Sequence, residues 1–591
     1  MSALHLALKP FETAFSYVGR LGVRLLRHMH EYLYDIGVGS ADVVAGDEAA
    51  LQQIAKIGGC DFHALEWSTP RRTGANHALM GHTWPKSSLL RETLRWCPAC
   101  VADDIDEAPP RLLPHAAAYG RAIWLCRSIR TCPKHGIVLR EAKPALARAH
   151  DIVLAMRTAP KAEPVRRDAS PLETYLADRL TGTGDRNPFL DQLEPWAVAR
   201  FAESLGSTLV YGRDIRFETL NDDQLAVAGG QGFDAIRSPE ALRYRLSELY
   251  GSFEGTNVAG PQAIYGRAFW DWLSRDAEPE VFKPLIDVVR AQVVGEVPLP
   301  LESVVLGEKH DTKFVTIATA AKAFGLHATT LSRTLVDAGI VSADAFAAGR
   351  ARIEFKPLER DLHDLRDALG PKDLQSYLNC PRVQTALLID GGLLPPIFAT
   401  NSVERLYARR TADEFLKSLG MSAKRVEAPS PGWFDIVAAT KRANCKFLET
   451  IEHIRSERLP VQLVAGLAGF MAIYIELETL KALTRGEPLP GLTKRDFVQR
   501  FSLSDRVANA LIENGIVPTV PARHPVHRVT LDVIPTEAVD TFARAYVTLH
   551  NLAAERKQHF LRVKKDLDQR GVSPAFDPKI VHASIYRRSE I

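Results

Sequence analysis

Two short segments of the 591-residue sequence hold residues with metal-binding spacing. Residues 96–100 read WCPAC and residues 131–136 read TCPKHG, giving Cys97-x2-Cys100 and Cys132-x2-His135. Two ligands separated by two residues reach one ion from a tight turn; Pro98 and Pro133 fix φ, and Gly136 lets the chain leave in a left-handed conformation. Three thiolates and one imidazole make a closed tetrahedral set, so the chemistry expected is one structural Zn2+ with no open coordination position. The intervening residues 101–131 exceed the gap of the commonest zinc ribbons and predict a helix or hairpin of their own. Cys126 and His115 lie inside that insert without a partner two residues away, and neither is assigned as a ligand. Asp103, Asp104, Asp106 and Glu107 follow the first knuckle and are expected to form a solvent-exposed acidic loop.

Positive charge gathers beside the second knuckle. Between Arg111 and Arg148 eight basic residues face Glu141 alone, a local +7 that leaves the remainder of the chain at −4 against the net +3. A basic surface ordered by zinc suits phosphate neutralisation, which releases counterions. Arg121, Arg127, Arg130 and Lys134 are therefore expected to form a phosphate-facing block. The alternative is a solvated face with no ligand.

Several segments around these motifs carry a family resemblance. They are KPFETAFSYVGRLG with Glu12, Ser16 and Arg20; LQQIAKIGGCDFHAL; TLRWCPACVADD; YGRAIWLCRSIRTCPKHGIVL with Trp124; and IYGRAFWDWL over 264–273. Together they resemble the TniQ/TnsD family, the target-selection proteins of bacterial heteromeric transposition systems, some of which work with CRISPR effector complexes. The resemblance extends to about residue 300. It implies recognition of attachment-site DNA or of a target-bound complex, and recruitment of a TnsC-like AAA+ ATPase and a transposase. A homodimer is compatible with it. Many relatives have a second Cys-x2-Cys after the His-Gly turn, whereas this chain has no cysteine between Cys132 and Cys380, so a second zinc site is not expected.

The second half of the chain carries helix-turn-helix patterns. In residues 315–340, Ala320 and Phe324 lie on one helix, Gly325 on the turn, and Leu331 and Leu335 on the next helix. Such a first helix braces a second whose outward residues enter the major groove. His327, Thr329, Thr330, Ser332 and Arg333 are the expected contacts. The pattern recurs over 373–395, with Arg382, Gln384 and Thr385, and over 496–518, with Ser504, Arg506 and Asn509. An apolar residue, Leu four positions on and Gly eight positions on align the three: Leu331/Leu335/Gly339, Val383/Leu387/Gly391 and Val507/Leu511/Gly515. Recurrence of this kind marks repeated modules. Residues 527–534 predict a strand and 536–542 a helix start, which suits a winged module. A degenerate fourth unit is expected within 434–477, and a further helix pair around Gly58 and Gly59.

The fold expected is a mainly α, multi-domain chain: a zinc-ribbon-like module plus tandem, partly winged helix-turn-helix domains. Its parts are an N-terminal zinc-finger domain (1–150), a helical middle (165–300), two helix-turn-helix units (301–430), the degenerate and third units (431–550) and a basic helical tail (551–591). Apolar residues at 46% and charged residues at 25% exclude collagen-like and wholly disordered classes. The longest apolar run, Leu463–Ile475 at about 13 residues, is short of the roughly 18 that span a bilayer. With no signal-peptide pattern at the N-terminus, the expected setting is the bacterial cytoplasm, at the nucleoid. Seven cysteines are too few for a disulfide framework in a chain of this length. No phosphate loop, H-E-x-x-H or G-x-S-x-G motif is present, so a non-enzymatic DNA-binding adaptor is expected. The competing readings are a zinc-containing helix-turn-helix transcription regulator and a DNA-cleaving enzyme.

Overall fold

The computed structural model describes residues 5–145, 148–160, 162–256, 259–399, 405–420 and 422–591. It divides into two compact units, Met1–Leu362 and His363–Ile591. Both are mainly helical and hold small sheets. Among the described residues no helix is long and apolar enough to cross a membrane.

The first unit is anchored by the helix Ala14–Arg24, capped by the Thr13 side chain. Ser16 and Arg20 lie on one face of it, Glu12 stands just ahead of its cap, and all three are buried. Glu12 accepts from Ser16 Oγ at 3.0 Å and from Arg20 Nη1 at 2.5 Å. Arg20 Nε donates to the Ala116 carbonyl at 2.8 Å, and the Gly120 N–H donates to Ser16 Oγ at 2.8 Å. The three side chains thus tie the first helix to the chain that leads into the second knuckle. Burial raises the pKa of Glu12, and the Arg20 charge opposes that rise.

The helices Glu48–Gly58 and Phe62–Trp67 meet around Gly58 and Gly59, with Gly59 at φ 70°. In the middle region Pro195–Tyr211 and Asp222–Ile236 cross at two glycines. A Cβ on Gly206 would stand 1.8 Å from the Ala228 carbonyl oxygen, and one on Gly232 1.8 Å from that of Ala202. Only glycine allows this approach. Phe201, Phe269, Trp272 and Phe282 pack edge-on beside the crossing, so the aromatic residues of IYGRAFWDWL belong to the core.

From residue 314 onward the described residues contain one local structure five times. A short strand, or in the second repeat the single bridge residue Leu369, runs into a helix, the helix ends at a residue with positive φ, and a second helix starts three residues later. The helix pairs are Ile317–Phe324 with Ala328–Asp337, Pro371–Leu378 with Arg382–Asp390, Ile436–Arg442 with Phe447–Arg455, Lys494–Arg500 with Asp505–Glu513, and Leu549–Glu555 with Phe560–Gln569. The turn residues are Gly325, Asn379, Asn444, Ser502 and Lys557, all between φ 49° and 66°. After each, a backbone N–H reaches back five residues to a carbonyl: Leu326 to Ala321, Cys380 to Gln375, Cys445 to Thr440, Leu503 to Val498 and Gln558 to Ala553. Each second helix is left through another positive φ, at Gly339, Gly392, Glu457, Gly515 and Gly571. These are helix ends closed by left-handed residues, which satisfy the last carbonyls.

An antiparallel strand partner completes each repeat. Phe314–Val315 pairs with Ile353–Glu354, Leu369 bridges Tyr407, Trp433–Asp435 pairs with Ile473–Glu476, Gly491–Thr493 with Thr530–Pro535, and Tyr546–Thr548 with Ile585–Arg587. In the third and fourth repeats a further strand, Val461–Val464 or Val520–Arg523, joins the same sheet. The third repeat is the unit the sequence marks as degenerate.

Two expectations change here. In repeat two the left-handed exit is Gly392 rather than Gly391, and Leu388 is buried while Val383 and Leu387 are exposed. The register assigned to Val383/Leu387/Gly391 is one residue early, because LLIDGG offers adjacent leucines and adjacent glycines. Residues 551–591, expected as a basic helical tail, instead hold most of the fifth helix pair, which starts at Leu549, and one strand of its sheet.

Candidate metal centre and the faces of the helix pairs

The first knuckle sits at a helix start. Cys97 is the N-cap of Pro98–Asp106, Pro98 occupies the first turn, and the Cys100 N–H donates to Cys97 Sγ at 3.5 Å. The second knuckle is a hairpin, Thr131–Cys132 against Ile137–Val138, whose turn closes through the Gly136 N–H to the Cys132 carbonyl at 2.9 Å. Gly136 has φ 59°, the left-handed exit its position calls for. The helix expected in the insert is Pro98–Asp106, so the acidic residues 103, 104 and 106 are helical and do not form a loop.

The ligand atoms of Cys97, Cys100, Cys132 and His135 all lie within 4.8 Å of one another, with the three cysteines buried. Cys100 Sγ and Cys132 Sγ are 3.6 Å apart, and His135 Nδ1 stands 3.5, 3.3 and 3.6 Å from the sulfurs of Cys97, Cys100 and Cys132. Metal–sulfur bonds of about 2.3 Å and metal–nitrogen bonds of about 2.0–2.1 Å give tetrahedral edges of about 3.8 Å and about 3.6 Å. The donor set therefore has the dimensions of one four-coordinate ion. Hydrogen bonds from Cys100 and then Cys97 hold the Cys132 thiol far below its ordinary range. His135 Nε2 meets Asp103 Oδ2 at 3.0 Å, an outer carboxylate that orients the imidazole with Nδ1 toward the sulfurs. Lys134 Nζ donates to the same Asp103 oxygen at 2.6 Å. Asp103 is a positioning residue that the cysteine spacing does not reveal. Its helical placement opposite the hairpin supplies that role.

The cations near the knuckles have internal partners. Arg130, with a side chain 3% exposed, donates to Glu203 at 2.8 Å and to Asp222 at 3.0 Å, both on the crossing helices of the middle region. Burial works against its charge, but Glu203 and then Asp222 restore it and raise its pKa above the ordinary value. Arg95 is equally buried between Glu141 and Asp222. Arg121 donates two hydrogen bonds to the buried Asp104 and lies over the rings of Tyr119 and Trp124. Arg127 remains exposed, with Nε donating to the Ser87 carbonyl. Arg121 and Arg130 therefore leave the expected phosphate-facing block, their charges met by Asp104, Glu203 and Asp222, whereas Arg127 and Lys134 stay exposed, Lys134 beside Asp103.

The second helices of repeats one, two and four present different faces. His327, Thr329, Thr330 and Arg333 are exposed, but Ser332 is buried and donates to the Thr329 carbonyl. Arg382 is exposed and Gln384 half-buried, whereas Thr385 is buried with its hydroxyl on the Cys380 and Pro381 carbonyls. Ser504 caps its helix by accepting from the Val507 N–H; Arg506 and Asn509 are exposed, and Asn509 accepts from Lys494 Nζ. Ser332 and Thr385 are thus removed from the expected contacts because their hydroxyls are used inside their own helices.

Within the second unit, the loop between the last two strands of a repeat leans on the turn of the repeat before it. Asn379 Nδ2 donates to the Ala468 carbonyl at 2.8 Å. Asn444 Nδ2 reaches the Val526 and His527 carbonyls, each at 3.3 Å. Arg528 adds a two-toothed grip on Glu449 at 2.5 and 2.9 Å, and a bond to the Thr484 carbonyl at 2.6 Å. The strand expected over 527–534 is Thr530–Pro535, and the loop that leads into it is bound to protein.

No curated protein matches the chain. Residues 3–139, the part of the chain that carries the paired knuckles, match the family model TniQ.

Proposed function

We propose that this chain selects DNA target sites for transposition as a non-catalytic adaptor, binding double-stranded DNA and recruiting a TnsC-like AAA+ ATPase and a transposase. The TniQ domain at residues 3–139 carries this reading, because that domain belongs to transposition-associated DNA-binding proteins. The helix pairs support it: their order of brace, turn and second helix is that of helix-turn-helix modules, and in repeats one, two and four the second helix keeps an exposed face for the major groove. Thr329, Thr330 and Arg333 of repeat one, Arg382 of repeat two, and Arg506 and Asn509 of repeat four are the contacts proposed. The Cys3His set is proposed to hold one Zn2+, closed to catalysis, which fixes the knuckles and through them the arginines behind them. Modest affinities of several modules multiply through effective concentration when they engage one duplex.

Genome-wide mapping of the DNA bound by the full chain tests the reading, together with affinity purification from its own cell. A confined set of sites and co-purification of an AAA+ ATPase are expected. Promoter-wide occupancy without such an ATPase would move the protein to transcription control.

A further inference from the structure

The fifth repeat offers a cationic helix face that no sequence motif above had assigned. Its second helix, Phe560–Gln569, starts three residues after Lys557 and is left through Gly571 at φ 70°. Counted from the turn residue, Val563 and Leu567 occupy the places of Leu331 and Leu335 in repeat one, and all four are buried. By the same count Arg562 and Lys565 stand where repeat one has the exposed Thr330 and Arg333. The side chains of Arg562 and Lys565 leave the helix opposite Val563 and Leu567, with Lys564 on the flank.

These three residues are exposed, and among the described residues none of them forms an ion pair. Of the two acids on the helix, Asp566 is taken by Arg556 at 3.1 Å and by Arg570 at 3.8 Å. The outward face is thus left with three cations and Asp568. Leu561, 60% exposed, adds an apolar side chain at the start of that face. Polyanion backbones attract such a face, and the helix-turn-helix frame gives it the shape of a groove reader.

We propose that the helix Phe560–Gln569 lies against duplex DNA and that Arg562, Lys564 and Lys565 neutralise backbone phosphates. This rests on the DNA-binding reading above and adds a contact site to it. The test uses the full chain and a pool of random-sequence duplex DNA, with the binding constant followed against salt concentration. Each phosphate contact contributes about 0.9 to the slope of log K on log salt, so an R562A/K564A/K565A variant is expected to lose about 2 to 3 from the slope. The charge-conserving R562K/K564R/K565R variant is expected to keep the wild-type slope. An unchanged slope in the alanine variant overturns the proposal, as does an equal loss in the charge-conserving one. A slope that changes on single-stranded RNA and stays fixed on duplex DNA overturns it as well. A wild-type chain that binds no duplex removes the DNA-binding reading together with this one, whereas wild-type binding with an unaltered alanine variant removes this one alone.

Discussion

The arginines behind the Cys3His cluster and the cations of the helix Phe560–Gln569 are equally basic in sequence and opposite in surroundings. Arg95, Arg121 and Arg130 are buried or nearly so, and each meets a carboxylate. Arg562, Lys564 and Lys565 are exposed and pair with no carboxylate among the described residues. A cluster of positive charge therefore signals a ligand surface only after its internal partners have been found. A buried arginine needs a carboxylate to offset its desolvation, whereas an exposed one keeps its hydration and stays available to an outside anion.

Loss of the proposed zinc is the strongest challenge to this contrast. Structural zinc in such a set contributes about 10–16 kcal/mol at neutral pH. A strong chelator, or the Cys97→Ser/Cys132→Ser pair, is expected to abolish hydrogen-exchange protection around the knuckles and the Arg95, Arg121 and Arg130 pairs. Protection of the repeat at 494–545 should persist. One zinc per wild-type chain is expected by metal analysis, and a full complement in the serine pair would refute the ligand set.

Next in size is Arg130→Ala. Removing one partner from a buried ion pair costs about 3–5 kcal/mol, which urea denaturation would register, while the salt dependence of DNA binding in the folded variant should not move. A flattened salt dependence at wild-type stability would reverse the roles assigned to the two regions. Arg333→Ala is expected to weaken DNA binding by about 1–3 kcal/mol with little change in stability, and Ser332→Ala to leave binding intact.

The smallest effects concern the loop grips. Asn444→Ala removes hydrogen bonds worth about 0.5–1.5 kcal/mol to stability. The hydrogen bond from Arg528 holds the Glu449 carboxyl below its ordinary pKa. Its folded value is thus the lower one: the stabilisation is complete above the unfolded value of about 4.3 and is lost as pH falls through the folded value. Glu449 is one-third exposed, so solvent screening keeps that contribution below about 1 kcal/mol. Arg528→Ala should erase this acid-side dependence, and an unchanged acid limb would refute the grip.

The cluster of Cys97, Cys100, Cys132 and His135 was legible because its members come in pairs two residues apart. The fate of Arg130 was not, since Glu203 and Asp222 lie 73 and 92 residues away and belong to helices whose placement depends on the Gly206–Gly232 crossing. Repeats one and four were legible through Leu331/Leu335/Gly339 and Val507/Leu511/Gly515. Val563/Leu567/Gly571 follows the same spacing and is the signal for repeat five. It was obscured by the local charge, which reads equally well as a solvated helix. The strand that completes this repeat is the distant segment Ile585–Arg587. Ser332 and Thr385 show the limit of residue type as a guide, because a hydroxyl beside an outward-facing position turns inward when a helical carbonyl lies within reach.

The grips of Asn379 and Asn444 on the loops of the following repeats have a consequence for any duplex this protein holds. Repeats two, three and four are fastened in series at the same corner of each, so they have little freedom to swivel independently. Such a series behaves as a ruler. It fixes the angle as well as the distance between their second helices. Inserting about five base pairs, half a helical turn, between the positions read by two neighbouring repeats would carry one of them to the far side of the duplex.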